Sequence, residues 1–226
     1  MEFLLDLFFP KRCVGCRRVG SYICPRCFSK ITPVPYSICP ECTRPSMGGA
    51  VHAKCKGKYT LDGLLVACRY EGIVKKMLKQ LKYAPGITDM TKTIVYASDY
   101  NKSISFNHFL STNPLIVPVP LHWMKQWTRG YNQSALLSKE YSRLFNLPTA
   151  EVLQRHKKTK PQYGLGKEER AKNMADAFSL KQKFAFNSET VLLVDDIWTT
   201  GATLRACATV LKKCGVKNVW AITIAR

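Results

Sequence analysis

Acidic residues are scarce in this chain. Its 226 residues hold 15 Asp and Glu against 35 Lys and Arg, a formal charge of +20. An imbalance of that size points to a polyanionic partner or substrate, although charge alone does not say which anion. No run of about 18 apolar residues occurs, which excludes a membrane-spanning helix of ordinary kind. Residues 1–10 are partly apolar but are not expected to act as a secretory leader, since Glu2 makes the start acidic, Asp6 breaks the run, and Lys11 and Arg12 follow Pro10. The segment reads as a short helix with Phe3, Leu4, Leu7 and Phe8 on one docking face. The expectation is a soluble, cytoplasmic protein with one good core and a small appendage.

Cysteine is rare beyond residue 55. Of ten, only Cys68, Cys207 and Cys214 lie there, and the last two are expected on the apolar side of the final helix with Val210 and Leu211. The other seven form Cys13-x-x-Cys16, Cys24-x-x-Cys27 and Cys39-x-x-Cys42, followed by His52-x-x-Cys55. Each pair has the spacing of a zinc knuckle, a tight turn that aims two soft ligands at one metal. The simplest pairing is sequential, with one zinc on Cys13, Cys16, Cys24 and Cys27 and a second on Cys39, Cys42, His52 and Cys55; an interleaved pairing stays open. Four protein ligands per site leave no open position, so both metals are expected to be structural. Basic side chains interleave the knuckles, with Tyr22, Phe28 and Tyr36 available for stacking. Nucleic-acid contact and simple solubilisation are equally good readings of that pattern.

One stretch carries the chemistry: Val191-Leu192-Leu193-Val194-Asp195-Asp196-Ile197-Trp198-Thr199-Thr200-Gly201-Ala202-Thr203. Its apolar run fits a central strand of a parallel sheet covered on both faces. Two acids then emerge at the carboxyl end, and a small hydroxylated loop leads into a helix whose N-terminus favours an anion. Thr199, Thr200 and Thr203 donate hydroxyls, Gly201 lets a phosphate approach the backbone, and Asp195 and Asp196 can accept from vicinal ribose hydroxyls. A sugar 5-phosphate satisfies all of them. The stretch resembles the 5-phosphoribosyl-1-pyrophosphate (PRPP) signature of type I phosphoribosyltransferases, four apolar residues, two acids, two variable positions and Thr-Thr-Gly-Ala-Thr.

Around it, residues 61–69 read as a strand. Residues 73–83 form a helix with Val74, Met77, Leu78 and Leu81 on the apolar side and Lys75, Lys79 and Lys82 opposite, and a less regular helix covers 89–100. The apolar run Leu115-Ile116-Val117-Pro118-Val119-Pro120-Leu121-His122 is a strand ending in prolines. Arg129-Gly130-Tyr131-Asn132-Gln133 opens a helix carrying Leu137, Tyr141, Leu144 and Phe145 at helical spacing. A short strand at 152–154 leads to a basic run with Arg155, Lys157, Lys158 and Lys160, and a polar stretch through Asn173 is placed as a hood over the substrate. Strands return at 177–180 and 219–224. The alternation of strands and helices argues for a parallel sheet.

Knuckles ahead of the PRPP signature, with Arg129-Gly130-Tyr131-Asn132-Gln133 and Pro161-Gln162 followed by Leu165, Arg170, Asn173 and Phe178, resemble the ComF/GntX family over nearly the whole chain. The resemblance implies a small double zinc ribbon over residues 1–60 joined to an α/β, type I phosphoribosyltransferase-like domain over 61–226. It implies PRPP with magnesium as ligand, and a role in natural competence that makes single-stranded DNA and a competence helicase candidate partners. By position in that fold, Pro120, Leu121 and His122 would hold the pyrophosphate. Arg129, Arg155, Lys157, Lys158, Lys160 and Arg170 would contact pyrophosphate or nucleic acid. Asp195 and Asp196 would stabilise positive charge developing on the ribose if transfer occurs. Family membership leaves transferase activity and its acceptor open, and His52 stands where the family commonly has cysteine.

Overall fold

A computed structural model of the chain describes residues 10–83, 88–97, 103–156, 177–181 and 188–226. The amphipathic face expected at Phe3, Leu4, Leu7 and Phe8 lies outside them.

Four apolar segments build one parallel sheet: β1 (Gly63–Cys68), β2 (Leu115–Pro118), β5 (Thr190–Ile197) and β6 (Asn218–Ala225), in the order β1-β6-β5-β2. In β5 the residues Val191 to Val194 have no exposed surface. Their side chains alternate between the faces, Leu192 and Val194 in one core layer and Val191 and Leu193 in the other. This two-sided burial is why the strand shows no polar alternation in sequence.

On the first face lie α2 (Gly72–Tyr83), α3 (Thr88–Ala97), α4 (Ile104–Leu110) and α6 (Gln133–Phe145). Ile73, Val74, Met77, Leu78 and Leu81 of α2 are buried as their helical spacing predicts, each contributing about 1.5–3 kcal/mol of apolar burial. Trp220 of β6 fills the layer's centre, with its ring 5.8 Å from Phe106 and 5.5 Å from Phe109. Its neighbour across the ladder must be glycine, because a Cβ on Gly63 would stand 2.4 Å from the Trp220 ring. The opposite face is covered by α7 (Ala202–Lys213) and by an antiparallel pair, β3 (Leu153–Arg155) with β4 (Phe178–Leu180). Cys207 packs fully buried there, as expected, whereas Cys214 caps the C-terminus of α7 and is exposed. The helical period ends one residue before it, so the apolar-side placement of Cys214 is corrected.

The cysteine-rich segment contains a short helical turn, α1 (Pro25–Phe28), and two 3₁₀ turns at Met47–Gly49 and Ala53–Cys55. It joins the sheet through its backbone: Val34 N–H donates to Ala67 O at 3.1 Å and Arg69 N–H to Thr32 O at 2.9 Å, adding an antiparallel bridge to β1. Cys13, Ile23, Cys24 and Cys27 share a buried cluster with α2.

Adjacent parallel strands open at the same edge. β2 pairs with β5 so that Pro118 faces Val194, and Val119 N–H continues the ladder to Val194 O at 2.9 Å. The loop at Pro120–Leu121–His122 and the loop after Asp195–Asp196 therefore leave the sheet side by side, at the carboxyl end where open α/β sheets bind ligands.

Candidate phosphate, ribose and metal sites

Both metal sites follow the sequential pairing. The ligand atoms of Cys13, Cys16, Cys24 and Cys27 lie within 4.8 Å of one another, and so do those of Cys39, Cys42, His52 and Cys55. Sulfur separations of 3.8 Å for Cys13–Cys24 and 3.6 Å for Cys16–Cys24 match the edge of a tetrahedron with Zn–S arms of about 2.3 Å. The chain reaches this geometry by repeating one turn. After Cys16 and after Cys42 the residue adopts positive φ (Arg17 66°, Thr43 62°) and donates its N–H back to Cys13 O or Cys39 O. His52 Nδ1 sits 3.3 Å from Cys42 Sγ, while its Nε2 lies 3.0 Å from Pro45 O. A carbonyl only accepts, so Nε2 carries the proton and Nδ1 keeps its lone pair for metal.

The thiol acidities are uneven within each cluster. Burial acts against the Cys13 thiolate, but backbone N–H groups of Cys24, Cys16 and Gly15 outweigh it and lower the thiol to about 6. Cys42 is lowered to about 6 by the backbone N–H of Arg44 and its side chain. Burial and the neighbouring thiolates push Cys27 up to about 12 and Cys55 up to about 11. Within each cluster one thiol is thus held low and another high, and a bound zinc would favour the thiolate of both.

The acid pair ends β5 in two different settings. Asp195 Oδ1 accepts from Ser134 Oγ at 3.0 Å and from Asp196 N–H at 2.9 Å. Asp196, only 6% exposed, pairs its Oδ2 with Lys82 Nζ at 2.6 Å. Burial first, and the Asp196 charge second, push the Asp195 carboxyl up to about 7, against the opposing pull of its two hydrogen bonds and Lys82. Lys125, Arg129 and Arg155 complete a cationic group around these acids. Burial lowers the Lys125 ammonium pKa, as does repulsion from Arg129, Arg155 and Lys82, while Asp196 raises it. Burial likewise lowers Arg155, with Cys207 and Asp195 acting the other way.

The loop following the acids is locked by Trp198. Gly201 has φ 76°, and a Cβ there would stand 2.3 Å from the buried Trp198 ring, so glycine is required twice over. Gly201 is also the N-cap of α7 and brings no capping side chain, which leaves the dipole end of that helix beside Thr199, Thr200 and Thr203. In the loop after the neighbouring strand β2, His122 is buried, its Nδ1 accepts from Met124 N–H at 3.3 Å, and its backbone bridges to Arg155. The sequence-predicted Pro120, Leu121, His122, Arg129 and Arg155 are thereby brought to the mouth that holds Asp195, Asp196 and the Thr199–Thr200–Gly201–Ala202–Thr203 loop. Lys157, Lys158, Lys160 and Arg170 lie outside the described residues. In the ribbons, the three proposed stacking rings differ: Phe28 and Tyr36 are exposed and Tyr22 half-buried, and the Arg226 guanidinium lies 5.2 Å from the Tyr36 ring.

Three site residues were not singled out by sequence. The helical period places Lys82 with Lys75 and Lys79 opposite the apolar stripe and does not distinguish it from them, but it sits in the last turn of α2 and turns to Asp196. Ser134 lay hidden inside an apolar helix. Lys125 stands in α5 (Trp123–Arg129), which shows no apolar period. The motif at 129–133 gave the only available signal, because each member joins pieces of the site. Gly130 (φ 77°) ends α5, Tyr131 Oη donates to Leu81 O, and Asn132 Nδ2 donates to Val119 O at 3.0 Å while Oδ1 caps α6. Arg129 donates to Gln133 Oε1 at 3.1 Å.

One arginine ties the Cys39–Cys42 knuckle of the second metal site to the Thr199–Thr203 loop. Arg205 of α7 donates from Nε and Nη2 to Pro40 O (2.8 and 2.6 Å) and from Nη2 to Glu41 O (3.2 Å). Its Nη1 donates to Thr200 O at 2.7 Å, its Nε pairs with Glu41 Oε2 at 3.2 Å, and its guanidinium lies 5.3 Å from the Trp198 ring. Pro40 and Glu41 are the two residues between Cys39 and Cys42.

Residues 4–56 match the double zinc ribbon domain family, and residues 132–226 match the phosphoribosyl transferase domain family. Competence protein F of Haemophilus influenzae is 31% identical, over 97% of this chain and 98% of its own length. Competence protein ComFC of Bacillus subtilis is 29% identical, over 90% of this chain and 84% of its own. DNA utilization protein YhgH of Escherichia coli is 28% identical, over 96% and 98%.

Proposed function

Because the chain belongs to the ComF family of competence proteins, with a double zinc ribbon and a phosphoribosyltransferase domain, we propose that it binds PRPP and handles single-stranded DNA. The observation that carries this reading is the mouth between β2 and β5, where an acid pair stands beside a glycine-threonine loop and within a group of four cations, Lys82, Lys125, Arg129 and Arg155. In this reading the Thr199–Thr203 loop and the N-terminus of α7 receive the 5-phosphate. Asp195 and Asp196 accept from the ribose hydroxyls, and Pro120, Leu121 and His122 with the cations receive the pyrophosphate. Magnesium takes most of its ligands from phosphates and water, so it would be held chiefly by the pyrophosphate, whose charge it would neutralise, with Asp195 and Asp196 the carboxylates at hand. Zinc fits both thiolate clusters and serves structure.

Transfer of the phosphoribosyl group to a small nitrogenous acceptor is the second reading, favoured by the complete signature loop. There Asp195 and Asp196 would stabilise the cation-like ribose as pyrophosphate departs. Release of pyrophosphate on adding a panel of amines and bases distinguishes it.

Calorimetric titration of the zinc-loaded protein with PRPP in magnesium buffer tests the first half. Binding is expected, with the Asp195→Asn, Asp196→Asn double variant weaker by ~10-fold or more and unchanged in zinc content. Equal affinity would refute the role given to the acids. Titration with a labelled single-stranded oligonucleotide at two salt concentrations tests the second half, because phosphate contacts give steep salt dependence. Little binding at the lower salt removes it.

A further inference from the structure

Helix α5 carries two rings that the proposed PRPP site does not use. Trp123 and Trp127 stand four residues apart, hence on one face, and are 62% and 82% exposed. Indole is large and apolar, and a fold that merely needed filling would have buried it. The rest of the helix is Met124, Lys125, Gln126, Thr128 and Arg129, without an acid.

The rings are continuous with the phosphate-binding mouth. The Trp123 ring lies 5.6 Å from that of His122, the last residue of the candidate pyrophosphate loop. Lys125 and Arg129 belong to the cation group around Asp196, and the Arg129 guanidinium lies 5.4 Å from the ring of exposed Tyr83. Lys125 and Arg129 each stand two residues on from an indole and so on the opposite side of the helix; a strand crossing α5 meets open aromatic faces on one flank and cations on the other, which suits a ligand of flat bases and phosphates, single-stranded nucleic acid. Two indoles on a seven-residue helix are too narrow an apolar face for a membrane surface, and the strong positive charge favours a polyanion.

We propose that Trp123 and Trp127 form a base-stacking platform for single-stranded nucleic acid that crosses α5, its phosphates reaching Lys125 and Arg129 on the far flank at the rim of the PRPP site. The proposal rests on the reading of the protein as a handler of single-stranded DNA and adds where the bases sit. Every base offers a ring face, so the platform selects strand state over sequence; in a duplex those faces are already stacked.

The experiment uses full-length, zinc-loaded protein, a fluorescein-labelled oligothymidylate and an abasic oligomer of equal length. Oligothymidylate should quench the intrinsic tryptophan fluorescence. The Trp123→Ala, Trp127→Ala double variant should bind it ~10-fold or more weakly, with PRPP affinity, zinc content and melting temperature unchanged. The Trp123→Phe, Trp127→Phe variant should recover most of the affinity, and the abasic oligomer should bind wild type and alanine variant alike. If wild type binds oligothymidylate and the alanine variant binds it equally well, the platform is wrong while the handling of DNA stands. If wild type does not bind oligothymidylate, the handling reading falls and the platform with it. If the alanine substitutions turn a dimer into a monomer in sedimentation velocity, the indoles are an interface between two copies and the proposal is overturned.

Discussion

On the proposed reading, Asp195 joins a liability to a function. Its carboxyl is pushed up from 3.8 to about 7, so the folded protein keeps a proton that the unfolded chain has already lost in that window. Its contribution to stability is full below about pH 4 and is lost as pH rises through 7. Asp195→Asn keeps an oxygen for Ser134 and for Asp196 N–H while removing the charge. Thermal melts of this variant should therefore exceed wild type at pH 7.5 and approach it at pH 5, even as PRPP binding, on the proposed reading, weakens. Ligand binding by wild type should release a proton near neutrality, seen as a heat that varies with the ionisation enthalpy of the buffer. His52 gives a second residue-level outcome. Metal analysis should find two zinc ions in wild type and in His52→Cys, but about one in His52→Ala, because a three-ligand site holds zinc far less firmly.

Among the elements, β5 and α7 were legible because both faces of one and one face of the other are buried, and burial writes itself into sequence as an apolar run or a helical stripe. The acids and the Thr-Thr-Gly-Ala-Thr loop stand out in sequence for a chemical reason: on the proposed reading few other side chains suit a phosphorylated diol at a strand end. What sequence concealed is tertiary. Nothing local tells Lys82 from Lys75 and Lys79, and only the packing of α2 across the sheet edge brings it to Asp196. Arg205 reads as one more basic residue of a basic helix until the knuckle at Pro40 and Glu41 is placed against it. Arg205→Ala should lower PRPP affinity by ~10-fold, because Thr200 O and the loop lose their charged partner. It should also speed zinc loss to a chromogenic chelator in one of two kinetic phases, leaving the phase of the four-cysteine site unchanged. A single unaltered biphasic trace would dissociate the knuckle from the loop.

At the scale of the molecule, the ribbons behave as part of the core. Cys13, Cys24 and Cys27 lie in the same buried cluster as Met77, Leu78 and Ile222, and residues 32–34 extend the β1 edge. Chelation should therefore shift the whole unfolding endotherm downwards as one transition; two separate peaks, with the upper unmoved, would contradict that coupling. The backbone ladder between β2 and β5 has a consequence of its own on the proposed reading. It fixes the gap between the two ligand loops as firmly as hydrogen-bonded strands can, so the protein acts as a ruler. A sugar bearing groups at both ends touches both marks at once, whereas ribose 5-phosphate or pyrophosphate alone reaches only one and should bind far more weakly than half the combined free energy suggests.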